Sequence, residues 1–204
     1  MRVDMSFRPV LRRIVEKSAP GRTPSFGEAH VVKALELASG EGIGRAALGA
    51  RLGVGEGVAR TLIRHLRDAD LIEVTPKGIT TSTRGGLLLK DIRTVIQSVG
   101  EAPSTDDTVG RRNYAVLVRG AAGGVRAGVE QRDAALLSGA KGATTIVYGD
   151  DPRIPGMERA PDPALRELVE GAANPKRGDV IIIGTGDSLL SAELGALSAA
   201  LGLV

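Results

Sequence analysis

Residues 43–84 read IGRAALGARLGVGEGVARTLIRHLRDADLIEVTPKGITTSTR, and this stretch decides the fold of the first half of the chain. Leu48 and Leu52 lie four apart, on one face of a short helix. Gly53 follows, a residue free to take the positive φ that ends a helix. Val54 is expected to be the buried residue of the turn. A second helix is predicted from about Gly55 to Ala69, with Val58, Ala59, Leu62, Ile63 and Leu66 as its apolar stripe. Two β-prone runs come next, Leu71–Val74 and Ile79–Thr81. They are separated by Thr75-Pro76-Lys77-Gly78, in which proline presets φ and glycine supplies a left-handed position. Helix, tight turn, helix and hairpin, in that order, make a winged helix-turn-helix. Such a unit lays its second helix in the major groove of DNA.

The outer face of the second helix carries Glu56, Arg60, Thr61, Arg64, His65, Arg67 and Asp68. Arg60, Thr61 and Arg64 are the residues expected to face DNA. Arginine pairs bidentately with guanine O6 and N7, and it also reaches phosphate. Lys77, at the wing tip, is expected to touch phosphate or the minor groove. Gly55-Glu56-Gly57 opens the helix where Ser or Thr would suit DNA contact better, and Glu56 repels phosphate unless it reads a cytosine amine. Winged helices also serve as protein-interaction modules, because a fold does not by itself fix a function.

The chain has 204 residues, 42% hydrophobic and 25% charged, as expected for one large or two small domains with a genuine core. It contains no cysteine, which excludes disulfides and thiolate metal sites. His30 and His65 are its two histidines, so a histidine-rich zinc centre is not expected. Four aromatic residues, Phe7, Phe26, Tyr114 and Tyr148, are too few for the stacking platforms that bind single strands. No apolar run is long enough to cross a bilayer and no signal-peptide pattern opens the chain, so the expected location is the cytoplasm. Residues 1–100 hold 16 Lys and Arg against 10 Asp and Glu, whereas residues 101–204 hold 11 against 14. A basic half beside a mildly acidic half suits DNA docking by the first.

Residues 1–25 form a basic arm with Arg2, Arg8, Arg12, Arg13, Lys17 and Arg22, in which Val10, Leu11, Ile14 and Val15 offer a short helical face. Residues 26–83 are the winged helix. Its first helix is predicted from Phe26 to Ser39, with Ser25 and Glu28 spaced as a capping box. Residues 84–110 are read as a connecting helix and linker. The helix runs from Arg84 to about Ser98, capped by Thr83, and Leu88, Ile92, Val95 and Val99 form a helix–helix seam. The linker is the polar stretch Gly100–Gly110. The seam serves a homodimer or packs within its own chain.

Residues 111–204 alternate strand and helix, the pattern of helices packed on a sheet. Strands are predicted at Asn113–Val118, Val125–Val129, Ala143–Tyr148 and Asp179–Gly184, with a short edge segment at 153–156. Helices are predicted at Glu130–Gly139, with Ala134, Ala135 and Leu137 packed, at Pro163–Ala173, and at Ser188–Leu201. The class is α+β: an N-terminal winged helix-turn-helix followed by a two-layer domain with helices on a mixed sheet.

The winged helix, Gln131-Arg132-Asp133, the stretch Gly139-Ala140-Lys141-Gly142-Ala143-Thr144-Thr145, the Ile154-Pro155-Gly156 turn and the Gly184–Leu197 ending resemble an archaeal family. Its members join an N-terminal winged helix to an uncharacterised C-terminal α+β domain and are described only as candidate transcriptional regulators. The resemblance covers residues 26–204. It implies a C-terminal domain similar to the GAD insertion domain of bacterial aspartyl-tRNA synthetases, and it carries no catalytic residues.

Gly184-Thr185-Gly186-Asp187-Ser188 joins a buried strand to a helix, where backbone amides can hold an anion. It lacks the GxGxxG spacing and a Walker lysine, and a capping role for Asp187 or Ser188 is the simpler reading. Arg132 and Asp133 can line a ligand pocket with Thr144 and Thr145, or form a structural ion pair. Asp150-Asp151-Pro152 reads as a turn before it reads as half a magnesium site. With no His or Cys in this half, no nucleophile–base pair can be assembled, so catalysis, metal and cofactor are not expected. The expected function is a DNA-binding transcriptional regulator acting on double-stranded DNA, homodimeric, with a C-terminal domain that senses a small-molecule effector or dimerises. The alternative is an enzyme or RNA-associated accessory protein whose winged helix is an interaction module.

Overall fold

The computed structural model describes residues 7–16, 25–157 and 159–204. They divide into two compact units, Met1–Ile92 and Arg93–Val204.

The first unit runs α1 (Phe7–Val15), α2 (Glu28–Ala38), α3 (Arg45–Arg51), α4 (Glu56–Asp68), β1 (Ile72–Thr75), β2 (Gly78–Thr81) and most of α5 (Thr83–Val95). Its core is aliphatic, with Val31, Leu35, Leu48, Leu52, Leu62, Leu66 and Leu71 all buried. Each such side chain stabilises the fold by about 1.5–3 kcal/mol. Within the expected basic arm, residues 7–15 are an amphipathic helix that buries Phe7, Leu11 and Ile14 and pairs Arg8 with Glu28. Arg2, Lys17 and Arg22 lie outside the described residues.

Caps differ from the sequence expectation in two places. Helix α2 starts after Gly27, whose amide donates to Nδ1 of His30 at 3.1 Å, while Glu28 is taken by Arg8. Burial lowers the His30 pKa from its usual 6.5, in keeping with a neutral ring that accepts this bond. At α5 the capping hydroxyl is that of Ser82, not Thr83. It accepts from the amide of Gly85 at 3.0 Å and donates to the carbonyl of Asp70 at 2.6 Å. Ile43 adds a third rung to the wing, exchanging backbone bonds of 2.9 and 2.8 Å with Ile79. Gly78, at φ +120°, makes this possible, since a Cβ there would meet the Ile43 backbone at 2.9 Å.

Helix α5 ends at Val95, three residues before the expected end, and Ile96–Ala102 is strand β3. Val99 therefore belongs to a strand, at the bulge between Ser98 and Gly100. The other three seam residues, Leu88, Ile92 and Val95, are already buried within one chain.

The second unit continues with β4 (Arg112–Val118), α6 (Val129–Leu137), β5 (Gly142–Tyr148), β6 (Pro152–Arg153), α7 (Pro163–Ala173), β7 (Val180–Gly186) and α8 (Leu189–Leu201). Its strand order is β3-β4-β7-β5-β6, and every pairing is antiparallel. The α+β class holds, but the sheet is not mixed. Strands β4 and β5 point the same way around α6, as a parallel crossover would, yet β7 is inserted between them in the opposite direction.

Helices cover both faces, one layer more than expected. On one face Leu165 and Val169 of α7 join a core with Leu117, Ile146, Ile181 and Ile183. On the other, α8 lies so close to β7 that a Cβ on Gly184 would fall 2.1 Å from the carbonyl oxygen of Ala192. The Val180–Ile183 run has no polar alternation because that strand is buried on both sides.

Two polar knots fasten this unit. Buried Asp179 pairs with Arg119 at 2.7 Å and accepts the amides of Gly120 and Lys176 at 2.9 and 2.8 Å. Asp107, also buried, pairs with Arg159 and accepts the amide of Asp162 at 2.7 Å, while its carbonyl receives the Thr144 hydroxyl. Residues 103–110 are consequently a strap laid on the sheet, not a free linker. The expected return strand at Val125–Val129 is absent, replaced by a 3₁₀ turn at Ala122–Gly124 and the entry to α6. Leu137, expected to pack, is 91% exposed.

Candidate nucleic-acid interface

Helix α4 buries Ala59, Leu62 and Leu66 and turns Arg60, Arg64 and Arg67 outward, at the four- and three-residue spacing of one helical stripe. Arg45, at the first position of α3, joins them. Together they line a groove of about 890 Å³ that continues to Val74, Gly78 and Ile79 of the wing. Lys77 stands exposed in the two-residue turn between β1 and β2. That turn is held by the Thr75 hydroxyl, which donates to the Gly78 carbonyl at 3.0 Å and accepts the Lys77 amide at 3.2 Å.

Thr61 and His65 sit differently from the sequence expectation. The Thr61 hydroxyl donates to the Gly57 carbonyl at 3.0 Å, so it is engaged by its own helix although the residue lines the groove. His65 is half-buried. Its Nδ1 donates to the Ile14 carbonyl at 2.7 Å and its ring meets Phe26 edge-on, which removes it from the outer face. Val54 is only half-buried and borders the groove. Arg45 was not legible as a site residue, because the helix that carries it shows too short an apolar pattern to fix its phase. Arg67 stood on the outer face in the sequence reading but was not singled out as a DNA contact.

Glu56 is the acid of this groove. It accepts from Arg60 at 2.9 Å and lies 3.7 Å from Arg45, all three side chains being more than half exposed. Exposed pairs of this kind contribute about 0–1 kcal/mol, so a phosphate can displace the carboxylate. Glu56→Gln is expected to raise affinity for any duplex about fivefold at low salt. That is the factor for the roughly 1 kcal/mol of one charge a few ångströms away in water. Weaker binding by fluorescence anisotropy would show that Glu56 makes a favourable base contact instead, and unchanged binding would place its charge away from the DNA.

The candidate ligand residues of the second unit separate into two groups. Arg132, Thr144 and Thr145 line one cavity of about 170 Å³, with Gly128, Val129 and Met157. Asp133 is paired to Arg132 at 3.0 Å. Thr185, Asp187 and Ser188 do not line that cavity. Thr185 is buried, so close to Gly110 that a Cβ there would come 2.3 Å from its hydroxyl. Asp187 pairs with Lys141 at 2.5 Å. Ser188 caps α8, accepting the Ser191 amide at 3.1 Å. Asp150 is paired with Arg177 at 2.6 Å. Among the described residues no group of three or more His, Cys, Asp or Glu is arranged to hold a metal ion, and no helix is long and apolar enough to cross a membrane.

A winged helix with a cationic groove, followed by a helix-and-sheet domain, defines a protein with an N-terminal DNA-binding module. Residues 30–96 match the CggR N-terminal DNA binding domain, and residues 109–203 match a domain of unknown function, DUF4443. A solved structure, a hypothetical protein from Pyrococcus horikoshii OT3, superposes with a TM-score of 0.67 at 24% identity, over 86% of this chain and 91% of that one. This likeness is one of fold. No curated protein matches the chain.

Proposed function

We propose that this protein is a cytoplasmic, homodimeric transcriptional regulator, not an enzyme, that reads duplex DNA with α4 and steadies it with the wing. Residues 111–204 sense a small-molecule effector or hold the dimer together. The observation that carries the reading is the groove in which Arg45, Arg60, Arg64 and Arg67 converge beside the wing. Four guanidinium groups on one concave face suit a phosphate backbone, and those on α4 are placed to reach base edges.

Arg60 and Arg64 are expected to carry recognition. Each replaced by Ala should cost about 1–3 kcal/mol of specific binding if it reads a base. Operator affinity unchanged in the folded double variant would remove α4 from the interface. The reading as a whole is tested by the salt dependence of duplex binding, which must be steep if phosphates are neutralised. Lys77→Ala is expected to weaken all duplexes alike and to lower the slope of log K against log salt by about 1. A loss confined to one sequence would show that Lys77 reads bases. Absence of salt-dependent duplex binding by the wild-type protein would leave the winged helix as a protein-interaction module.

A further inference from the structure

We infer that the cavity at the start of α6 is a binding site for a small oxyanion, the carboxylate or phosphate group of an effector. Helix α6 spans nine residues, and its N-cap is Gly128, at φ +76°, which has no side chain to cap it. The amides of Val129, Glu130 and Gln131 donate to no acceptor among the described residues. Of these residues Val129 lines the 170 Å³ space, together with Ala127, Gly128 and Arg132, so the positive end of the helix dipole borders it.

An independent feature points to the same place. Thr145 borders this cavity, is 4% exposed, and its hydroxyl has no hydrogen-bond partner among the described residues. That oxygen lies against the α6 cap, since a Cβ on Gly128 would come within 3.3 Å of it. A buried hydroxyl without a partner is costly, and a native fold that keeps one commonly reserves it for a ligand or water. Among the described residues β6 pairs with β5 only at Val147 and Tyr148, so no strand pairs with that edge of β5 at Thr145.

Arg132 supplies the positive charge. Its guanidinium is about half exposed and is held by neighbouring Asp133 at 3.0 Å, an exposed pair that an entering anion can replace. Glu130, the acid of the first turn, is drawn off to Arg126 at 2.9 Å. The volume admits a head group, not a whole drug-sized molecule. The rest of an effector would extend past exposed Val129 and Met157.

This inference gives a chemical class to the effector of the proposed regulator and rests on that reading only for the word effector. It is tested on the full chain without DNA. Sodium phosphate and sodium acetate are titrated separately at ionic strength held constant with chloride, and the backbone amide resonances of residues 128–132 are followed. A saturable shift with either anion is expected, and the anion that produces it identifies the head group. Arg132→Ala, at an exposed position, should weaken that binding roughly tenfold or more, as removal of a hydrogen bond to a charged group does. Thr145→Val should weaken it too, and Thr145→Ser should restore it. No saturable shift with either anion, or wild-type affinity in both Arg132→Ala and Thr145→Val, would overturn the site. Anion binding that persists in a protein unable to bind duplex DNA would sustain the site and defeat the regulator reading.

Discussion

Gly184→Ala is expected to destabilise the second unit by about 3 kcal/mol or more, the upper range for overpacking a filled interior. The added methyl would lie 2.1 Å from the Ala192 carbonyl oxygen and 2.6 Å from the Ala196 amide nitrogen. Both are backbone atoms of α8, so no rotamer change relieves the clash and the helix must lift from β7. Gly171→Ala is the control. Gly171 lies within α7 with open space around its Cα, so alanine there is expected to stabilise by about 0.5–1 kcal/mol through helix propensity. Urea unfolding of the two variants separates the effects. Equal midpoints would mean that α8 does not sit as closely on the sheet as described.

Ile92→Lys is expected to cost about 3–5 kcal/mol, because an unpaired ammonium would replace a large side chain that is 1% exposed. This variant also decides what the apolar stripe of α5 is for. Circular dichroism should show loss of structure, with light scattering reporting an unfolded or aggregated chain. A folded monomer arising from a wild-type dimer would instead mean that the stripe is an interface between copies. With Leu88, Ile92 and Val95 buried inside a single chain, unfolding is the expected result. A homodimer, with half-sites about 34–36 Å apart or a multiple of that, must then use another surface.

Local chemistry by itself determined the order of elements in the winged helix, though not the contacts of His65 with Ile14 or of Ile43 with Ile79. The Leu48–Leu52 spacing at α3, the positive-φ glycine at 53, the stripe of α4 and the Pro-Lys turn are each patterns written in residues a few positions apart, so their order spells the winged helix. The outward phase of Arg60 and Arg64 was readable for the same reason, as was a cap of α8 at Asp187 or Ser188, of which the structure uses Ser188. The strands at Asn113–Val118, Ala143–Tyr148 and Asp179–Gly184 were legible from their apolar runs, to within a few residues at their ends.

Tertiary structure decided what depended on distant partners. Ile96–Ala102 looks like the tail of a helix and the start of a linker until β4 lies beside it and takes its backbone bonds. The insertion of β7 between β4 and β5 makes the sheet antiparallel, and strand order leaves no mark on a local pattern. Asp107 sits in a polar stretch that reads as solvated, and only Arg159 and the Asp162 amide, more than fifty positions away, explain its burial. The ligand candidates behave likewise. The sequence set Arg132 and Asp133 beside Thr144 and Thr145 as one pocket, and the fold brings Arg132, Thr144 and Thr145 to one cavity, whereas Asp133, Thr185, Asp187 and Ser188 are left to pairing, packing and capping. Short-range periodicity and turn stereochemistry are written in neighbouring residues, but burial and pairing across a sheet arise only when remote segments meet.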